Sequence, residues 1–145
     1  MEAIGPAPLL HTLAAFRFEL RRFLQFSETA ALEAGLQPQQ HQLLLQVAGA
    51  HEGVAVTIAY AAERLGLKHN SVVELVDRSE REDLLARVAD ATDKRKAILR
   101  VTRKGKQILS RLAGDHAREL HERAPRLVAA LEQVRRHAVV ETEAQ

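Results

Sequence analysis

The chain has 145 residues, 46% of them hydrophobic and 28% charged, with a formal net charge of +2. That is one domain's worth of chain with ample apolar content for a core, and the absence of cysteine excludes a disulfide framework, a thiolate zinc site and a cysteine redox switch. Aromatics at 3% leave little for a base-stacking platform, and the lack of a signal-peptide pattern or a long apolar run makes a cytoplasmic protein without membrane contact the expectation.

Residues 1–8, MEAIGPAP, read as an extended arm, because Pro6 and Pro8 argue against helix before Leu9. Leu9, Leu13, Phe16, Leu20 and Phe23 then recur at steps of four and three, which predicts a first helix over 9–34, stopped by Gly35 and Leu36. Such a seam suits either a core or a contact with a second chain. Pro38 fits the first position of a second helix with an apolar face of Leu43, Leu44, Val47 and Ala48, although Gln37 is a weak N-cap. Residues 49–53 allow a turn, and Val54 to Val56 are expected to add a short strand to a small sheet.

Ile58, Ala61, Ala62 and Leu65 form the next helical stripe, and Gly66 and Leu67 supply its C-terminal stop. Val72, Val73, Leu75 and Val76 mark a further helix over 69–82, so close behind that the pair should cross as a helix-turn-helix. Two apolar runs, Leu84 to Ala89 and Ala97 to Val101, flank the turn-forming Asp90, Thr92 and Asp93 and predict a hairpin. After Gly105, the spacing of Ile108, Leu109, Leu112, Ala113, His116, Ala117 and Leu120 predicts another helix. Pro125 reads as a restart into a last helix with Leu127, Val128, Leu131, Val134 and Ala138 on one face, and the tail ETEAQ is expected to fray. The fold class is mainly α with a small β-hairpin wing.

Charge is unevenly spread. From Lys94 to Lys106 there are seven basic residues and no acidic one. From Arg64 to Lys106, twelve Lys or Arg stand against seven Asp or Glu, while the rest of the chain has nine against twelve. A localised cationic surface of this kind suits phosphate neutralisation.

AERLGLKHNSVVELVDRSE, then DLLAR, then DATDKRKAILRVTRKG, resembles the winged helix-turn-helix of the MarR family of bacterial transcriptional regulators. The most specific features are VDR followed by Leu84, the DKR triplet at the wing, and Val101-Thr102-x-x-Gly105 leading into a long helix; the flanking helices resemble the family more weakly. The resemblance implies a single domain over 1–145, with dimerisation helices at 9–34 and 106–139 around a winged helix-turn-helix at 38–105. It implies a homodimeric regulator, expected to repress, that binds an inverted-repeat operator in double-stranded DNA, with release by a small-molecule effector. Lys68, His69, Asn70 and Ser71 would approach bases and phosphates from the recognition helix. Arg95 would enter the minor groove, and Arg78, Lys94 and Lys96 would meet phosphates. An effector pocket between the dimerisation helices and the winged domain would draw on His11, Phe16, His41, Leu44, Leu109 and His116.

Three residues depart from the family pattern. Asp83 stands where a glycine usually ends the recognition helix and Ser79 where an apolar residue is usual, so that end is expected to pack less firmly. Glu74 replaces a polar or basic residue; it either accepts from a cytosine amino group or points away from DNA, and the second reading is preferred. The competing chemistries are thin. The seven histidines include no motif of metal-ligand spacing, so no metal or other cofactor is expected. No phosphate loop or nucleophile elbow is present, so an enzyme is not expected. The alternative is a helical homodimer that binds proteins or ligands without reading DNA.

Overall fold

The computed structural model describes residues 6–144, with side chains from Ala7 to His137. The elements in chain order are α1 (Pro6–Glu33), α2 (Pro38–Ala48), α3 (Ile58–Leu65), α4 (His69–Arg81), β1 (Leu85–Ala89), β2 (Ala97–Val101) and α5 (Arg103–Ala144). They divide into two compact units, residues 30–114 and the combination of residues up to Thr29 with those from Asp115 onward.

The unit of residues 30–114 is built on one aliphatic core. Leu36, Leu43, Leu44, Ala61, Val72, Val76, Leu84, Leu85, Leu99, Val101, Leu109 and Leu112 form one buried cluster, drawn from every element of the unit. Each helix contributes residues of the stripe its periodicity predicts, although Ala48 of α2 and Ala113 of α5, both expected on those faces, are exposed. Ala31 belongs to the same cluster, and the turn after α1 closes by a hydrogen bond from the Leu36 N–H to the Ala31 carbonyl (2.9 Å), with Gly35 at φ 85°. Gly66 does the same for α3 at φ 65°, and the Leu67 N–H returns to the Ala62 carbonyl (3.0 Å). Thr57 caps the other end of α3, its Oγ1 accepting from the Tyr60 N–H (3.1 Å).

The hairpin is an antiparallel pair in the register Leu85↔Val101 through Ala89↔Ala97. Val54 to Val56 do not join it as a strand; among the described residues the sheet has two strands. One backbone bond remains of the expected pairing, from the Leu99 N–H to the Val56 carbonyl (2.8 Å), while Val56 is buried in the core. Thr57 must turn into the cap of α3, which leaves no length for a ladder.

Two further expectations are corrected. Helix begins at Pro6, not after Pro8: both prolines occupy the first turn, where a missing N–H costs no intrahelical bond. Met1 to Gly5, the rest of the expected arm, lie outside the described residues. Pro125 does not restart the chain but sits inside one continuous α5 of 42 residues. Its ring removes the bond to His121, whose residue is exposed and can pass its carbonyl to water, and the turns on both sides persist. That helix continues through Glu141 to Ala144, residues expected to fray.

In the other unit, His116 joins α5 to α1. Its Nε2 lies 2.8 Å from the Ser27 hydroxyl, and its ring meets Phe23 and Phe26 edge-on, with centroids 6.0 and 5.3 Å away. Arg123 is paired with Glu119 along the helix and lies 3.9 Å from Glu19 of α1.

Candidate nucleic-acid interface

Helices α3 and α4 are linked by Gly66, Leu67 and Lys68, and α4 buries Val72, Val76 and Ser79 on one side. Its opposite side is exposed. Lys68 is the N-cap residue and makes no side-chain cap, so the N–H groups of the first turn, from His69 to Ser71, have no partner among the described residues. No acidic residue occupies that turn. Lys68, His69, Asn70 and Ser71 are all exposed there, so their side chains and three unspent backbone donors share one helix end.

The C-terminal end of α4 is tied down firmly, contrary to the looser packing expected from Ser79 and Asp83. Ser79 is fully buried, and its hydroxyl donates to the Leu75 carbonyl (2.8 Å), so no polar group is stranded. Asp83 takes the left-handed conformation, φ 58°, and the Leu84 N–H closes back on the Ser79 carbonyl (2.9 Å) as a glycine-ended helix would. The conformation is held from across the hairpin: the Thr102 hydroxyl donates to the Asp83 carbonyl (2.7 Å) and Lys104 Nζ to the Glu82 carbonyl (3.0 Å).

Glu82 connects this end to α2. Gln40 is buried; its Nε2 donates to Glu82 Oε2 (2.8 Å), and its Oε1 accepts from the Gln37 N–H (3.0 Å), supplying from inside α2 the cap that Gln37 lacks. The Gln40 amide, followed by Arg78 and Lys104, holds the Glu82 carboxyl below its ordinary value against partial desolvation, which raises it. Arg78, a candidate phosphate partner, therefore already leans on Glu82, with 3.3 Å between Nε and Oε1.

Hairpin and α4 are joined by a side chain that the sequence did not single out. Arg87 of β1 pairs with Asp77 (2.8 Å) and with Glu80, both on α4. At the wing tip, the Asp93 carboxylate accepts from the Arg95 N–H (3.1 Å) and Nε (3.3 Å), while its carbonyl accepts from the Lys96 N–H (3.0 Å). Asp93 thus shapes the turn, and the Arg95 side chain stands 92% exposed. Lys94 and Lys96 flank it, exposed, without a side-chain ion pair among the described residues. Arg81, also absent from the sequence candidates, shares the outward side of α4; its signal was the spacing of seven from Glu74 and eleven from Asn70.

The effector candidates fall in both units. Leu44 and Leu109 belong to the core of residues 30–114, Leu44 with no exposed surface, and His41 is buried on α2. His11 is exposed and Phe16 half-buried on α1, and His116 is held by Ser27 and the two phenylalanines. No three His, Asp or Glu side chains come together as a metal site among the described residues, and no described helix is long and apolar enough to cross a membrane.

Residues 34–96 match the MarR family. No curated protein sequence matches the chain. Among solved structures, a MarR family protein from Bacillus stearothermophilus superposes with a TM-score of 0.73 at 21% identity, over 97% of this chain and 99% of that one. A mutant of S. aureus MepR bound to an oligodeoxyribonucleotide gives 0.63 at 17% identity, over 89% and 93%. A mutant of E. coli MarR complexed with operator DNA gives 0.65 at 18%, over 84% and 89%. Matched to the MarR family over residues 34–96, the chain shares the winged helix-turn-helix fold of these structures over nearly its whole length.

Proposed function

We propose that the protein is a sequence-specific double-stranded DNA-binding regulator that acts as a homodimer, represses from an inverted-repeat operator and is released by a small-molecule effector. The observation that carries this reading is the paired exposure of the α4 N-terminus and the wing tip on one compact unit, in which Arg87 of β1 pairs with Asp77 of α4. Unpartnered N–H groups and Lys68 suit a phosphate, and Asn70 and Ser71 have the donors and acceptors to read base edges. The exposed Arg95 suits a narrow minor groove, with Lys94 and Lys96 on the adjoining phosphates.

The dimer is supported by apolar surface on the terminal helices. Leu10, Phe18 and Leu24 of α1 and Val128 and Leu131 of α5 are largely exposed, at 63, 56, 49, 58 and 47% respectively. The small-molecule part of the reading is supported by CouR from Rhodococcus jostii RHA1, whose structure holds p-coumaroyl-CoA and has a similar fold at a TM-score of 0.54 and 24% identity, over 75% of this chain and 67% of that one. The chemistry proposed is binding without a reaction.

Binding to a selected duplex across a salt series tests the interface. Arg95→Ala should weaken it about tenfold at unchanged melting temperature, and Lys68→Ala should lower the slope of log K against log salt by about one. Unchanged affinity and slope in both variants would place the DNA elsewhere on the protein.

A further inference from the structure

Val72, Val76 and Ser79, the buried residues of α4, set the direction of its inward face. At about 100° per residue, Glu74 lies roughly 160° around the helix from them, close to the centre of the outward face. Asn70 and Arg78, four residues to either side, share that face, and Glu74 is exposed between them. The preferred reading from sequence, that this carboxylate points away, therefore does not hold for any docking that presents the outward face of α4.

Glu74 is also uncommitted. Asp77 and Glu80 are spent on Arg87, and Glu82 on Gln40 and Arg78. The nearest same-face cation, Arg78, is directed to Glu82, and Glu74 has no hydrogen bond or ion pair among the described residues. It contributes nothing visible to holding the fold. A bare carboxylate placed against DNA repels phosphates and can only accept hydrogen bonds, so it must meet a base amino group or weaken binding.

In the major groove, guanine offers acceptors and thymine an acceptor and a methyl group, while adenine and cytosine offer amino donors. The adenine amino group is flanked on its own base by the N7 acceptor, which repels a carboxylate. The cytosine amino group is flanked on its ring by C–H. We propose, on the basis of the DNA-binding reading above, that Glu74 is a specificity-determining residue that requires a cytosine in each half-site and penalises the other three bases.

The test is selection from random duplexes by the wild type, Glu74→Ala and Glu74→Gln, followed by binding to half-sites with the selected base changed. Melting curves confirm that the exposed substitutions fold. The wild type should enrich a motif with one cytosine per half-site and lose about tenfold in affinity when that C·G pair becomes T·A or G·C. Glu74→Ala should keep the rest of the motif while becoming indifferent at that position. Glu74→Gln, which both donates and accepts, should admit adenine there. A motif identical in all three proteins would overturn the role of Glu74 and leave the DNA-binding reading standing. No motif from the wild type would overturn both.

Discussion

At the residue scale, the junction between α4, the hairpin and α5 depends on Gly105. A Cβ at that position would lie 2.4 Å from the Leu84 carbonyl oxygen and 2.7 Å from Val101 Cγ1, and the first of these is backbone with no rotamer to yield. The Gly105 N–H also donates to Thr102 Oγ1 (3.1 Å), the hydroxyl that fixes Asp83. Gly105→Ala should cost about 3 kcal/mol and lower the melting temperature by roughly 10 °C, measurable by circular dichroism. A shift within error would mean that the junction yields without strain. The Val-Thr-x-x-Gly spacing was legible in the sequence as a pattern, but its cause was not, because the backbone oxygen that the glycine makes room for belongs to Leu84, distant in sequence. Asp83 and Ser79 show the same limit from the other side. As departures they suggested a loose helix end, yet Thr102, Lys104 and the carbonyl of Leu75 satisfy what they leave open.

At the scale of elements, periodicity located all five helices and both strands of the hairpin, with bounds at α4, β1 and β2 within one residue. The misses lie where a local rule met a context that relaxed it. Proline was read as a boundary at 8 and at 125, and in both places the helix runs through. The links between elements were illegible for a different reason: Gln40 to Glu82 and Arg87 to Asp77 join residues whose spacing follows no local period. The first of these links is sensitive to acid. Glu82 titrates below its ordinary value of 4.5 in the folded state, so its contribution is fully present above that value and is lost as pH falls through the depressed one. Urea midpoints should therefore show wild type more stable than Glu82→Gln at pH 7, with the difference shrinking below about pH 4.5 and vanishing in stronger acid. A difference independent of pH would show that the carboxylate charge contributes nothing to the link between α2 and α4.

At the scale of the whole molecule, apolar residues of α1 and α5 lie exposed, and α4 begins without a side-chain cap; on the proposed reading a second copy buries the first and DNA meets the second. The heptad-like seam of Leu9, Leu13, Phe16, Leu20 and Phe23 was visible in the sequence and is half-buried except at Leu13, whereas the exposed Leu10, Phe18 and Leu24 lie outside it and were not singled out. Two copies related by a twofold axis would offer two α4 helices to successive major grooves, which ties oligomeric state to operator symmetry. Selection of DNA from random duplexes by the purified wild-type protein, with the mass of the enriched complex determined by sedimentation, tests both at once. The expected product is an inverted repeat with half-sites about one helical turn apart, bound by two chains. Enrichment of a lone half-site by a single chain, or no enrichment at low salt, would contradict it.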